Sequence, residues 1–379
     1  MLTEDYIMNC SDELVSLYNS FIDYCIMQLS QYIKQYYSFD EINRRANIIV
    51  LSGQLHKDVT KKIAKLLKIS QKKARQILFD AGKYTLDFDD NIYLQAGLQP
   101  LQFLQSPNMR NILEAQILNT NGELNNLTRT TAQNVSDEFV QAIDNTELQV
   151  QSGLYSYNDA IKNTVKKIVD DGGGTKIKFP HSQYSTQLDV AVRRCVLTGV
   201  SQSANALQLQ RAKEMKAPYC DTSAHEGARP THEEWQGKRF RLIDGVDVDL
   251  SIPNFLTENF GTAGKPVYQQ LQEPNCRHSW YPVMSKDAPM ARTQKELKNI
   301  NDKKVESDGK VYTYYEAEQR LRQMERTVRS YKRRKSALEK LGVDTSHEAT
   351  KIKQWQSKIR QFVSDTNLKR RTENEQIYY

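Results

Sequence analysis

Cys220-Asp221-Thr222-Ser223-Ala224-His225-Glu226-Gly227-Ala228-Arg229-Pro230-Thr231-His232-Glu233-Glu234-Trp235-Gln236-Gly237-Lys238 concentrates chemistry as no other stretch of this chain does. A second segment, Pro274-Asn275-Cys276-Arg277-His278-Ser279-Trp280-Tyr281-Pro282, answers it. The first holds two of the six histidines and one of the three tryptophans, and the second adds one more of each and a cysteine. Gly and Pro punctuate both, so they read as loops. Scarce, versatile side chains gathered on two loops imply a small polar centre that pins a loop-rich α+β module.

That centre admits three readings. Thiolate sulfur and imidazole nitrogen are the donors tetrahedral zinc prefers, so Cys220, His225, His232, Cys276 and His278 could hold a structural zinc that clips the two loops. The spacings are irregular and no Cys-x-x-Cys pair occurs. Without a metal, the same residues would form a hydrogen-bonded knot, each imidazole donating to a carbonyl or to Asp221, Glu226 or Glu233. In the third, His225, Arg229, His232, Arg277 and His278 bind phosphate and supply a general base, with Glu233 supporting a metal, as in a nuclease. Trp235, Phe240, Trp280 and Tyr281 suit a small core better than a base-stacking surface.

Outward from this module the chain reads as mostly helical. Leu14, Leu17, Phe21, Cys25, Ile26, Leu29 and Ile33 recur at helical steps and predict an amphipathic helix over 11–36. A second helix is expected over 41–67, and a third between Ser70, an apparent N-cap, and Gly82. Residues 56–82, with Lys61, Lys62, Lys65, Lys68, Lys72, Lys73 and Arg75, resemble a DNA-binding helix-turn-helix. No base-reading Asn or Arg cluster stands out, which favours a packed hairpin with a solvated Lys face. Two helices are expected over 97–150, broken at Asn119-Thr120-Asn121-Gly122. Gly172-Gly173-Gly174 reads as a hinge, Lys176-Ile177-Lys178-Phe179 as a short strand, 187–215 as a helix and 218–283 as loops with short strands.

Beyond 290 the sequence turns charged and helical. Leu321, Met324, Val328, Tyr331 and Leu338 follow a heptad-like seam. Ile352, Trp355, Ile359 and Phe362 mark a second helix from Ser346 to Phe362, so an antiparallel hairpin is expected. Residues 291–379 hold 22 Lys and Arg against 13 Asp and Glu, so the net +7 of the chain is a +9 tail on a −2 remainder. Lys332-Arg333-Arg334-Lys335 is its densest run, a surface that suits either DNA phosphates, met without sequence preference, or a solvated helix docking on an acidic protein. The domain reading is a helical N-terminal region over 1–171, the α+β module with its His/Cys loops over 175–290, and a basic helical tail over 291–379.

Composition narrows the classes. Mean hydropathy is −0.69 and no apolar run reaches the roughly 18 residues of a membrane span. Met1-Leu2-Thr3-Glu4-Asp5-Tyr6 is acidic and unlike a secretory signal. Five scattered cysteines do not form a disulfide framework, which points to synthesis in a reducing cytoplasm.

The signature Ser223-Ala224-His225-Glu226-Gly227-Ala228-Arg229-Pro230-Thr231-His232, then Trp235-Gln236-Gly237-Lys238, then Asn275-Cys276-Arg277-His278, resembles that of the tailed-phage minor capsid protein 2 family. That family is similar to Mu-type F head-morphogenesis proteins. Gly122-Glu123-Leu124-Asn125-Asn126-Leu127-Thr128, Leu188-Asp189-Val190-Ala191-Val192-Arg193-Arg194 and Gln323-Met324-Glu325-Arg326-Thr327-Val328-Arg329 fit it too, so the resemblance covers roughly 100–345. It implies a structural protein of the virion, inside the head near the portal, made in the host cytoplasm. Portal and other head proteins would be its partners, and packaged DNA a nonspecific one. It implies no catalytic residue and no cofactor beyond the zinc alternative. The competing class is a virion-associated, metal-dependent nuclease built on His225, His232 and His278.

Overall fold

The computed structural model describes residues 1–178, 184–245 and 248–377, except the side chains of Met8, Glu41 and Ile42. The helices are α1 (Glu4–Asn9), α2 (Asp12–Ser38), α3 (Glu41–Gln95), α4 (Pro107–Thr128), α5 (Thr131–Gln151), α6 (Tyr157–Asp170), α7 (Leu188–Met215), α8 (Pro230–Glu233), α9 (Val267–Leu271), α10 (Gln294–Asn301), α11 (Tyr314–Leu341) and α12 (Ser346–Thr366). The strands are β1 (Ile177–Lys178), β2 (Ser185–Thr186), β3 (Tyr219–Thr222), β4 (Arg239–Arg241), β5 (Asn259–Phe260), β6 (Lys265–Pro266), β7 (Trp280–Val283), β8 (Lys304–Ser307) and β9 (Lys310–Thr313). Helix accounts for 66% of the structure, so the fold is mostly α with a small β-containing module. Two compact units form, each from separated segments. One comprises Met1–Asp12, Gln71–Glu123 and Arg193–Ala317; the other Glu13–Ser70, Leu124–Val192 and Glu318–Tyr379.

In the second unit, α2 buries Leu14, Phe21, Cys25, Ile26, Leu29 and Ile33, the stripe its sequence marks. Ser156 caps α6, its hydroxyl accepting from the Asp159 amide, and Thr146 and Thr164 share a hydroxyl contact of 2.7 Å that joins α5 to α6. On α11, Leu321, Met324, Val328 and Leu338 are buried, while Tyr331 is partly covered. The segment after α12 ties back to α11: the Arg371 amide and Asn374 Nδ2 donate to Glu325 at 3.1 and 2.8 Å.

Several local expectations needed correction. Ser70 does not cap a new helix. It is buried inside the continuous α3, and its hydroxyl donates to the Leu67 carbonyl at 3.1 Å, so the turn of a helix-turn-helix is absent. Gly82 does not stop that helix either. An added Cβ there would lie 2.7 Å from Leu207 Cδ1, so this glycine admits a neighbouring helix. The break between α4 and α5 falls after Thr128, whose hydroxyl bonds back to the Leu124 and Asn125 carbonyls, and Asn121-Gly122 stay helical. The glycine triplet is a clamped turn. All three have φ between 63 and 78°, and Cβ atoms on Gly173 and Gly174 would meet the backbones of Ile26 and Val135 at 2.9 and 2.8 Å. Ile177 and Lys178 pair with β2, whereas Phe179 lies outside the described residues. The β8–β9 hairpin, closed at Asp308-Gly309, interrupts a stretch expected to be helical.

β1 and β2 belong to the second unit, and the first holds the part of the module from Arg193 onward. Its sheet is antiparallel with order β4-β3-β7, and every residue of central β3 is buried. Below it, Tyr93, Trp235, Phe240, Phe255, Val267, Leu271 and Trp280 form one apolar cluster. From α7, Gln208 donates to the Trp280 carbonyl at 2.8 Å and to Asp89 at 3.0 Å, fixing β7 to the helices.

Candidate functional site

Two local devices aim the scarce side chains inward. Pro230 opens the short helix α8, where its fixed φ suits the first turn, and that turn buries His232. On the second loop Asn275 takes φ 63°, a conformation Asn tolerates. The chain then enters β7 extended, so Cys276, His278 and Trp280 fall on one face, and all three are buried.

The result is a packed knot. Cys276 Sγ lies 3.6 Å from His278 Nδ1 and 3.9 Å from His232 Nδ1. His225 lies over His278 at 4.1 Å between ring centroids, and Trp235 packs on both His232 and His278. Gln236 is the polar hub: its Oε1 accepts from the His225 amide at 3.0 Å and lies 2.9 Å from His278 Nε2. Its Nε2 donates to Asn301 Oδ1 at 2.6 Å, and Asn301 donates onward to the Glu233 carbonyl. Trp235 Nε1 donates to Gln270 Oε1 at 2.8 Å.

Charges are neutralised at close range. Arg277 donates to Glu4 at 2.7 Å and to the Gly227 carbonyl. Arg229 pairs with Glu273 at 3.4 Å and donates to the Pro274 carbonyl. His225 Nδ1 lies 2.8 Å from the Glu226 carbonyl. Burial, reinforced by Arg229, lowers the pKa of His232 to about 4. Burial also holds His278 well below the ordinary imidazole value and pushes the Cys276 thiol up to about 12. Both imidazoles are therefore neutral near pH 7.

His225, Arg229, His232, Trp235, Cys276, Arg277 and His278 thus come together, and exposed Asn275 contributes the turn. Cys220 does not join them: it is not in the group of donors that lie within 4.8 Å of one another, although it shares the apolar cluster with Cys276. Asp221 does not face the imidazoles, because both its carboxylate oxygens are taken by Arg239, at 2.7 and 2.8 Å. Phe240 and Trp280 are core residues, not exposed stacking platforms. Glu4, Gln236, Gln270, Glu273 and Asn301 escaped sequence reading, since nothing local separates a buried Gln or Asn from a solvated one.

The basic run is dispersed. Arg333 is buried, donating to Asp23 Oδ1 at 2.6 Å and Asn19 Oδ1 at 3.3 Å, so its charge is spent inside the second unit. Arg334 pairs with Asp170, Lys335 with Glu339, and Lys332 donates to Gln376. The cause is helical geometry, which sends four consecutive side chains to different sides of α11.

Comparison with known proteins agrees with the motif reading. The family model described as phage minor capsid protein 2 matches residues 2–364, a span well beyond the segments that carry the signature. A "Structural protein" of Lactococcus phage LL-H is 24% identical over 235 residues, covering 61% of this chain. The chain spans 58% of that relative's length. No solved structure matches.

Proposed function

The chain belongs to the phage minor capsid protein 2 family, and on that premise we propose that it is a minor structural protein of the phage head, held inside near the portal, where it takes part in head assembly. The observation that carries this reading is the inward turn of the site's chemistry. Arg229, Arg277, His225 and His278 bond to carboxylates and carbonyls of their own unit. Side chains spent in this way hold loops together. A nuclease would need a general base within reach of substrate, and His232 and His278 are buried beneath their neighbours. Cross-linking of purified heads tests the proposal. Links from this chain's exposed lysines to the portal protein are expected; absence from heads, or links to the outer shell face alone, would sink it.

Contact with packaged DNA is a second reading, favoured by the exposed Lys61, Lys65 and Lys68, which share one face of α3 at steps of four and three. Affinity for duplex DNA would then fall with salt, the log–log slope being about −0.9 per neutralised phosphate. Changing these three lysines to Gln, or Lys332, Arg334 and Lys335 to Gln with Arg333 kept, should flatten that slope without altering sequence preference. An unchanged slope and affinity in both variants removes DNA from the list of partners.

A further inference from the structure

The geometry points to a binding site for one zinc-type divalent cation on His232 Nδ1, Cys276 Sγ and His278 Nδ1. One donor atom from each of the three residues lies within 4.8 Å of the others, and all three residues are buried. A tetrahedral zinc with Zn–S near 2.3 Å and Zn–N near 2.0–2.1 Å separates sulfur from nitrogen by about 3.6 Å. The two Sγ···Nδ1 distances are 3.6 and 3.9 Å.

The hydrogen-bond network makes the same assignment independently. The His225 backbone amide can only donate, so Gln236 Oε1 must be an acceptor. His278 Nε2, 2.9 Å from that oxygen, must then carry the proton. This tautomer turns the Nδ1 lone pair of His278 towards Cys276. The Glu273 carboxylate, 3.9 Å from His232 Nε2, favours the matching tautomer there. A single thiol proton can satisfy one of the two lone pairs that face it, not both. A bound cation satisfies both and the sulfur together. Gln236 then stands where the partner of a metal-bound imidazole stands, accepting from the distal ring nitrogen of His278, while Glu273 lies 3.9 Å from that of His232.

Binding is proton-balanced: the Cys276 thiol gives its proton to solvent, the thiolate and two neutral imidazoles coordinate, and a fourth position is left to a water molecule. The donor set, one sulfur and two nitrogens, selects zinc over magnesium or calcium, which take oxygen ligands. Cys220 and His225 are not ligands in this assignment. The site does not depend on the role in the head, since it would hold the two loops together in the isolated chain.

Protein purified without a His tag should contain about one zinc per chain by elemental analysis, and a chelator should lower its melting temperature. In the metal-depleted, reduced protein, added Co2+ should raise a thiolate-to-cobalt charge-transfer band that saturates at one equivalent. Cys276→Ser should abolish the band, and Cys10→Ser, far from the donor set in sequence, should keep it. Because Cys276→Ser risks misfolding, the wild-type experiment decides: neither zinc in the purified protein nor a Co2+ band in the reduced one overturns the proposal. A band that survives in folded Cys276→Ser overturns it as well.

Discussion

Replacing Arg333 by Leu is expected to lower the stability of the chain by about 3–5 kcal/mol, the cost of breaking a buried ion pair. Arg333 and Asp23 are 6% and 2% exposed, and the guanidinium donates to Asp23 at 2.6 Å and to Asn19 at 3.3 Å. Removing the cation takes the Arg333 guanidinium away from the Asp23 carboxylate in an interior that cannot hydrate it. The loss should therefore shrink when Asp23→Asn is added, because the buried anion is gone. A double-mutant cycle by urea denaturation reads the coupling. Lys335→Gln, which breaks a surface pair with Glu339 one helical turn away, should change stability by no more than about 0.5 kcal/mol. An Arg333→Leu effect as small as that of Lys335→Gln would mean that this pair does not hold α11 in place.

Trp235→Ala is expected to destabilise by about 3–5 kcal/mol, the usual range for emptying a buried aromatic site. Trp235 is fully buried, packs against His232 at a tilt and His278 edge-on, and belongs to the apolar cluster under the sheet. Trp235→Phe separates packing from hydrogen bonding. It keeps most of the apolar volume but leaves Gln270 Oε1 without the indole donor that sits 2.8 Å away. One orphaned buried acceptor costs about 1–3 kcal/mol. The ordering Ala worse than Phe, and Phe worse than wild type, is the expected result in thermal melts. Equal loss in both variants would show that the indole N–H, and not the ring volume, carries the contribution of this residue.

What could be read from the sequence follows from how far each signal reaches. The stripe of Leu14, Phe21, Cys25, Ile26, Leu29 and Ile33 is a repeat within one helix, and α2 buries those positions. Breakers were less reliable, because Ser70, Gly82 and Asn121-Gly122 are stop signals only when the surroundings leave them unsatisfied. Ser70 finds the Leu67 carbonyl, Gly82 finds Leu207, and helix continues through all three. The glycine triplet shows the same limit: it reads as a hinge, whereas the backbones of Ile26 and Val135, which come from distant segments, press against it and make it a fixed turn.

By itself the sequence determined the mostly helical class, the two His/Cys loops and the family to which they belong. These rest on local periodicity, rare residue types and a contiguous motif, all of which survive without coordinates. Tertiary structure alone decided which of the five candidate metal donors meet. It left Cys220 out of the donor group, kept one donor atom each of His232, Cys276 and His278 within 4.8 Å of one another, and brought Gln236, Glu273, Asn301 and Glu4 around them. It also turned Arg333 from a member of a basic run into half of a buried ion pair. The reason is physical: burial and partner choice are properties of atoms brought together across long stretches of chain, and no local pattern encodes them.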